Sequence, residues 1–264
     1  MKGHVNSSGF PLQIGIGNLV NDTTDRHGWR TLYTEHAWKH PSTGEEGFID
    51  LVLQHHSGTQ YMVVECKRVK DTSWIFINEN SRAKSRRHAK AFIFFKPGDE
   101  VRRFGWVDLT MEPTSAESQY CVIPGTDPKS KSLIERAASE IISSTESLAA
   151  EDKALSLNDR DDLHIYFNVL VTTATLQVCR FNSSDISIAD GTIENCEFEE
   201  VPFVRLRKQL STSVQVPEIL RVVGSEARVK AKENTVFVVN SNYLIQFLTN
   251  CEIDETHHNE RYWR

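Results

Sequence analysis

Three apolar segments near the start of the chain constrain its fold most strongly. Residues 30–38, 47–53 and 61–67 are rich in β-branched and aromatic residues and alternate their side chains in the manner of strands. The segments "KHPSTGEE" and "QHHSGTQ", rich in polar residues and turn formers, separate them. Because consecutive strands with short connections usually lie side by side, the sequence predicts an antiparallel three-stranded meander.

Strands and helices are mixed along the rest of the chain. Residues 91–96 and 105–110 predict two further strands, and residues 163–179 predict one long central strand or a bent pair. Ser132 and Glu135 form a capping box ahead of an apolar stripe, which predicts the clearest helix in the sequence. The later predicted elements are the strands "VPFVRLR" and "TVFVVN" and a closing helix, "SNYLIQFLTN". The chain is therefore predicted to be an α/β protein.

Two segments have weaker patterns. Residues 11–29 are only weakly predicted to be a helix, because they contain glycines and alternate Leu12, Ile14 and Ile16. Residues 110–128 are polar and are expected to be irregular. By length we expect one compact unit, with a core over residues 1–155 that continues through 156–264.

Composition excludes several classes of protein. The chain has 264 residues, 39% hydrophobic and 25% charged, which is typical of a globular protein rather than a disordered one. No apolar run is long enough to cross a membrane, and the polar start lacks a signal-peptide pattern, so we expect a cytoplasmic protein without a membrane partner. The five cysteines are scattered without a C-x-x-C pair, so neither a disulfide framework nor a zinc site is predicted.

Charged residues interrupt two of the apolar strands. Glu65 and Lys67 share one face of the third segment. Asp50 lies in the second segment, where it is expected to share a face with Phe48 and Val52, while Ile49, Leu51 and Leu53 are expected on the opposite face. If the two strands pair as a hairpin, Asp50, Glu65 and Lys67 converge. The alternative is structural, with Glu65 paired to Lys67 on a half-exposed edge strand and Asp50 near a turn at the surface.

Such a group of charges has a recognisable chemistry. Two nearby carboxylates repel one another unless a cation lies between them, and Mg²⁺, for which Mn²⁺ is a common substitute, takes one or two carboxylates while keeping most of its waters. A bound metal lowers the pKa of a water and neutralises charge on a phosphate, and an adjacent lysine stabilises developing negative charge. The pattern therefore indicates phosphodiester hydrolysis.

The segments "GFIDLVL" and "YMVVECKR" resemble the signature of the PD-(D/E)XK nuclease superfamily. The resemblance implies a restriction-endonuclease-like mixed sheet flanked by helices, with additional strands and helices in the C-terminal half. It implies that Asp50, Glu65 and Lys67 are catalytic and that Asp50, Glu65 and the backbone carbonyl of Cys66 hold the metal. Many members have proline where this chain has Ile49.

Many members also carry a glutamate in the helix before the hairpin, whereas residues 12–29 contain no glutamate. Glu35 and Glu46 are the available substitutes. We favour Glu35 as an additional metal ligand because its strand leads into the site.

A basic segment follows the third strand, in a chain whose net charge is −6. We interpret it as a phosphate-binding surface, against the alternative that it is a solvated polar face. The predicted nucleic-acid-binding residues are Arg68, Lys70, Arg82, Lys84, Arg86, Arg87 and Lys90.

Several other residues are weaker candidates for a functional site. The histidines, among them His36 and His40 and the adjacent pairs His55–His56 and His257–His258, are interpreted as surface or packing residues, since no third ligand follows at metal-site spacing. Trp74 and Phe76 are interpreted as core residues rather than base-stacking ones. Thr172, Thr173 and Thr175 are interpreted as ordinary strand residues.

The sequence thus predicts a Mg²⁺-dependent endonuclease, acting on DNA in bacterial defence, such as antiphage defence, or in DNA repair. The alternatives are a nuclease for RNA or branched DNA, and a catalytically silent nuclease-like module that binds nucleic acid or protein. A homodimer or a protein partner is compatible with the sequence, and the acidic segment "ENCEFEE" faces either such a partner or solvent.

Overall fold

A computed structural model describes residues 1–80, 86–125, 132–156, 162–210 and 232–254. Its helices are α1 (Lys2–Ser7), α2 (Phe10–Asp22), α3 (Thr24–His27), α4 (Leu133–Leu155) and α5 (Leu244–Thr249). The strands of the first half are β1 (Trp29–Lys39), β2 (Glu46–His55), β3 (Gln60–Lys67), β4 (Ser73–Glu79), β5 (Arg86–Lys96), β6 (Arg103–Ser115), β7 (Glu117–Ser118) and β8 (Tyr120–Val122). Those of the second half are β9 (Asp162–Thr172), β10 (Thr175–Phe181), β11 (Glu197–Glu200), β12 (Phe203–Gln209) and β13 (Glu233–Asn240).

The predicted meander is confirmed. Strands β1, β2 and β3 pair antiparallel in that order, and β3 then pairs in parallel with β9, which follows helix α4. The large mixed sheet has the order β1-β2-β3-β9-β13-β12-β7, with β5 pairing β9 and β6 pairing β5. Strands from both halves of the sequence therefore share one sheet.

The sheet forks at β9. Along one edge β9 pairs first with β5, up to Tyr166, and then with β13, from Val169 onward. Asn168 lies between the two and is fully buried. Its side-chain amide donates to the carbonyl of Thr235 at 3.0 Å and its oxygen accepts from the hydroxyl of Thr145 at 2.8 Å. Asn168 thus satisfies polar groups that the fork would otherwise leave buried and unpaired.

The core has two apolar clusters, one on each face of the large sheet. Helices α2 and α5 cover the first cluster through residues such as Ile16, Val20 and Phe247. Helix α4 covers the second, together with a four-stranded sheet of order β11-β10-β4-β8. Trp74 and Phe76 of β4 are fully buried there, so their interpretation as core residues is confirmed.

Helix α4 begins at the predicted N-cap, Ser132, but only half of the predicted capping box forms. The hydroxyl of Ser132 accepts the backbone N–H of Glu135 at 3.3 Å, while the Glu135 carboxylate contacts the ammonium of Lys208 instead of reaching back to the cap. A stripe of apolar residues then faces the second cluster, as the periodicity predicts.

Three sequence expectations are corrected or resolved. Residues 11–29 form helices α2 and α3 and reach the start of β1, so the glycines do not prevent a helix there. The segment expected to be irregular, 110–128, contains the end of β6 and strands β7 and β8. Residues 163–179 are a bent pair, β9 and β10, whose two strands belong to different sheets. Packing of α2 on the sheet and strand pairing in the other two segments decide what weak local preferences leave open.

Among the described residues, no helix has the length and apolar character needed to cross a lipid bilayer.

Candidate active site

The candidate site lies where the ladder between β2 and β3 ends. The paired residues run from the pair Gln54–Tyr61 to the pair Leu51–Val64. Beyond that point the Oδ2 atom of Asp50 accepts the backbone N–H of Cys66 at 2.7 Å. A carboxylate therefore replaces the backbone carbonyl that a continued ladder would have supplied. The contact brings Asp50 next to the segment that carries Glu65 and Lys67.

The alternation of β2 breaks at Asp50. Leu51 and Leu53 pack in the cluster under α2, but Ile49 packs with Val52 in the cluster under α4. The expectation that Ile49 shares a face with Leu51 and Leu53 is therefore wrong. The break lies at Asp50, because its neighbours Ile49 and Leu51 lie on opposite faces, whereas residues two apart in a regular strand share a face.

Glu35, the residue of β1 that lies opposite Asp50, also has a distorted backbone. Glu35 lies between the pairs Thr34–Leu51 and His36–Ile49, and its φ of 50° is in the left-handed region. This conformation costs a non-glycine residue on the order of 1–3 kcal/mol and is typical of functional sites. A local kink in two adjacent strands thus accompanies the site.

Burial and mutual repulsion shift the acid–base properties of the group. Glu65 is 7% exposed, and its Oε1 atom contacts the ammonium of Lys67. Burial, reinforced by the charge of Asp50 and opposed by Lys67, raises the pKa of Glu65 to about 7. Burial also raises the pKa of Asp50, against the hydrogen bond from Cys66 and the charge of Lys67.

The lysine responds in the opposite sense to its surroundings. Burial by itself would lower the pKa of Lys67, but the adjacent Glu65 carboxylate, together with the negative charges of Glu140 and Asp50, outweighs it, and the pKa is raised. Lys67 is therefore a firmly protonated cation beside two carboxyl groups that resist ionisation.

Two residues of this neighbourhood were not found from the sequence. Gln13 of α2 donates from Nε2 to Glu35 Oε1 at 2.5 Å and to the backbone carbonyl of Asp50 at 2.9 Å. Glu140 of α4 lies close enough for its charge to act on Asp50, Glu65 and Lys67. The sequence could have identified Gln13, because its helical spacing places this polar residue on the same face of α2 as the buried residues Ile16, Gly17 and Val20. Glu140 has no such signal because it lies on an exposed helix face.

Threonines fix the backbone that follows Lys67. The Thr172 hydroxyl donates to the carbonyl of Lys67 at 2.9 Å. The Thr173 hydroxyl donates to the carbonyl of Val69 at 2.7 Å and accepts its N–H at 2.9 Å. Thr172 and Thr173 therefore tie the end of β3 to the β9–β10 connection, a role beyond that of ordinary strand residues.

The side chains offer oxygen donors for a hard cation. Among the described residues, no group of three or more His, Cys, Asp and Glu side chains is arranged to hold a metal ion. Two carboxylates, Asp50 and Glu65, are nonetheless within electrostatic reach of each other. Mg²⁺ is commonly bound by one or two carboxylates with water in its remaining positions. The donor set therefore fits Mg²⁺ or Mn²⁺ with few protein ligands, and it does not fit an all-protein cage.

The predicted phosphate-binding residues are dispersed. Arg68 and Lys70 follow the site directly and are exposed, with the Lys70 ammonium 3.8 Å from Asp71. Arg87 is exposed and its Nε lies 2.5 Å from a carboxylate oxygen of Glu112. Arg82, Lys84 and the side chain of Arg86 lie outside the described residues.

The prediction that Lys90 binds nucleic acid is corrected by the position of this residue. It is 4% exposed, and its ammonium lies 3.8 Å from a carboxylate oxygen of Asp108, an exposed residue of the neighbouring strand β6. A side chain so buried does not reach a phosphate on a bound nucleic acid, so Lys90 belongs to the interior and not to the predicted basic surface.

His36 of β1 and His40, the residue that follows this strand, both contact α4, in line with their interpretation as surface or packing residues. His40 is buried with Nε2 3.1 Å from Glu146, and His36 contacts Glu151 at 2.9 Å. Both tie β1 to α4 rather than forming a metal site. His257 and His258 lie outside the described residues.

Comparisons with protein-family models, with curated proteins and with solved structures found no match to this chain.

Proposed function

We propose that the protein is a metal-dependent nuclease that hydrolyses phosphodiester bonds, with DNA as the expected substrate. The observation that carries the proposal is the convergence of Asp50, Glu65 and Lys67 at the end of one hairpin, with both carboxyl groups partly withdrawn from water. Buried titratable groups with raised carboxyl pKa values are typical of functional sites.

The fold is compatible with the resemblance seen in the sequence. A hairpin inside a mixed sheet with helices on both faces is what a restriction-endonuclease-like architecture requires. That finer assignment, and a role in defence or DNA repair, are part of the proposal.

Each residue has a definite part in the proposed reaction. Asp50 and Glu65 would hold Mg²⁺, with the backbone carbonyl of Cys66 as the resemblance implies. When bound, the metal lowers the pKa of a water and offsets charge on the scissile phosphate. Lys67, kept protonated by Glu65, donates to a phosphate oxygen or to the attacking water and stabilises developing negative charge. Arg68 and Lys70 contact flanking phosphates without reading sequence.

A second candidate is a silent module that binds nucleic acid or protein without cleaving it. One observation favours it: the hydrogen bond from Cys66 to Asp50 and the contact of Lys67 with Glu65 already satisfy much of the group. A purely structural role would need no further ligand.

Cleavage assays separate the two candidates. Supercoiled plasmid, linear duplex, single-stranded DNA and RNA are incubated with Mg²⁺ or Mn²⁺ and, in parallel, with EDTA. Wild type is compared with Lys67→Ala and with Lys39→Ala, which removes a lysine from an exposed pair with Glu46. Metal-dependent cutting that disappears only in Lys67→Ala supports the nuclease and identifies its substrate. Binding without cutting on all substrates supports the silent module.

A further inference from the structure

Gln13 is the buried polar residue that connects α2 to the site. It is 7% exposed, within an otherwise apolar and glycine face of its helix. Its Nε2 atom has two hydrogens, and both have acceptors: Glu35 Oε1 and the carbonyl of Asp50. Because both partners are oxygen acceptors, the amide nitrogen and not the amide oxygen must face them.

The two acceptors belong to the kinked pair of residues in β1 and β2. Glu35 has left-handed backbone and lies at the level of Asp50, whose carbonyl and carboxylate are both engaged. A single amide group therefore fixes the Glu35 side chain and the Asp50 backbone relative to each other. Without it, the exposed Glu35 side chain would be free to turn into solvent.

We infer that Gln13 is a positioning residue that holds the Glu35 carboxylate beside Asp50, so that the charge of Glu35 adds to those of Asp50 and Glu65 in attracting a divalent cation. The inference rests on the proposed function, whose site it completes. Since the described carboxylates do not form a set of three direct ligands, Glu35 acts through space or through a water on the cation.

A simple docking role for Gln13 is the competing explanation, and the chain offers a matched control for it. The Thr31 hydroxyl donates to the carbonyl of Gly17 at 3.3 Å, a second hydrogen bond between α2 and β1 that does not involve the site. Thr31→Val removes a bond that docks the helix and leaves Gln13 and Glu35 in place.

The experiment measures Mn²⁺ affinity by calorimetry without nucleic acid. The proteins are wild type, Asp50→Asn, Glu35→Gln, Gln13→Met, Gln13→Asn, Thr31→Val and the double variant Gln13→Met/Glu35→Gln. Glu35→Gln is expected to weaken Mn²⁺ binding roughly five- to tenfold, the effect of one charge on a divalent ion several ångströms away in a largely aqueous setting. Gln13→Met and Gln13→Asn, the latter too short to reach both acceptors, weaken it by a similar factor.

The inference requires that Gln13 affect the cation through Glu35 and not through its bond to the Asp50 carbonyl, so the double variant is expected to bind no more weakly than Glu35→Gln. Thr31→Val retains wild-type affinity. Additive losses in the double variant, an unchanged affinity in Gln13→Met, an equal loss in Thr31→Val, or Mn²⁺ binding that is absent from wild type overturns the inference.

The outcomes also separate this inference from the nuclease proposal. Binding of Mn²⁺ that depends on Asp50 and Gln13, with no cleavage of any nucleic acid, retains the positioning role and rejects the nuclease. Cleavage that depends on Asp50, with a Mn²⁺ affinity that does not change in the Gln13 variants, supports the nuclease and rejects the positioning role of Gln13.

Discussion

Two groups of charges in the same sheet, each with buried members, differ in how they are balanced. In the first, the Arg207 guanidinium bonds to Glu233 at 3.0 Å and to Asp108 at 2.8 Å, and Lys90 lies 3.8 Å from Asp108. Two cations meet two anions, and nearby carboxylates raise the pKa of Arg207 despite its burial. This group is self-sufficient.

The hairpin group is not balanced in this way. The Asp50 and Glu65 carboxylates repel each other, and the negative charge of Glu140 acts on both. Glu35 adds a further negative charge near Asp50, and Lys67 is the cation that attracts both carboxylates. The comparison teaches that burial alone does not mark a functional site. A partly buried set of charges in which carboxylates outnumber cations favours the binding of a further cation, whereas a balanced network has no such need.

The largest expected effect tests the hairpin group directly. Asp50→Asn removes the negative charge but keeps an oxygen that accepts the N–H of Cys66, so the fold is retained. Metal-dependent cleavage is expected to fall by roughly 10²–10³-fold or more, the scale seen when one charge-stabilising group is lost from an active site. Rates on the preferred substrate, with circular dichroism as the fold control, test this. An active Asp50→Asn enzyme would remove Asp50 from the site.

Loss of a cation should affect the two groups differently. Arg207→Met leaves Glu233 and Asp108 without their partner and is expected to destabilise the fold by about 3 kcal/mol. Lys67→Met should destabilise it less, because Glu65, whose pKa is already about 7, takes up a proton instead. Urea unfolding of both variants at neutral pH provides the measurement. Equal losses would mean that the hairpin pair is as structural as the network.

The pH dependence of stability sharpens the same contrast. The folded-state pKa of Glu65 is raised from 4.5 to about 7, so its protonated form favours the folded state. Its contribution is fully present below pH 4.5 and is lost as the pH rises through 7, amounting to at most about 3 kcal/mol. Between pH 4.5 and 7, metal-free wild type should therefore lose stability relative to Glu65→Gln.

Added Mn²⁺ should reverse that loss above pH 7, because the cation binds the ionised carboxylates. Parallel pH curves for wild type and Glu65→Gln in metal-free buffer would rule out a raised pKa at Glu65.

The smallest effect concerns the exposed cations after the site. Arg68→Ala and Lys70→Ala should each weaken nucleic-acid binding modestly and reduce the slope of log affinity against log salt by about 1. Lys90→Met, which alters the interior, should leave that slope unchanged while lowering stability. Fluorescence anisotropy at several salt concentrations distinguishes these outcomes. A reduced slope in Lys90→Met would return that residue to the binding surface.

Part of the fold could be predicted because local patterns agree with tertiary context. The strands of the meander and helix α4 have strong periodicity and clear boundaries. The helix α2 was only weakly predicted because its glycines lower helix propensity, and packing of its buried face on the sheet compensates. Residues 163–179 left two readings open, and only pairing with separate sheets decides between them.

The sequence by itself singled out the residues on which the proposal rests, because Asp50, Glu65 and Lys67 are charges in otherwise apolar strands and such positions are costly unless the charges are used or paired. Tertiary structure alone decided that Ile49 changes face, that Gln13 reaches both Glu35 and Asp50, and that Lys90 is internal. The reason is physical: each of these facts depends on contacts between residues far apart in the chain, and local periodicity contains no information about such contacts.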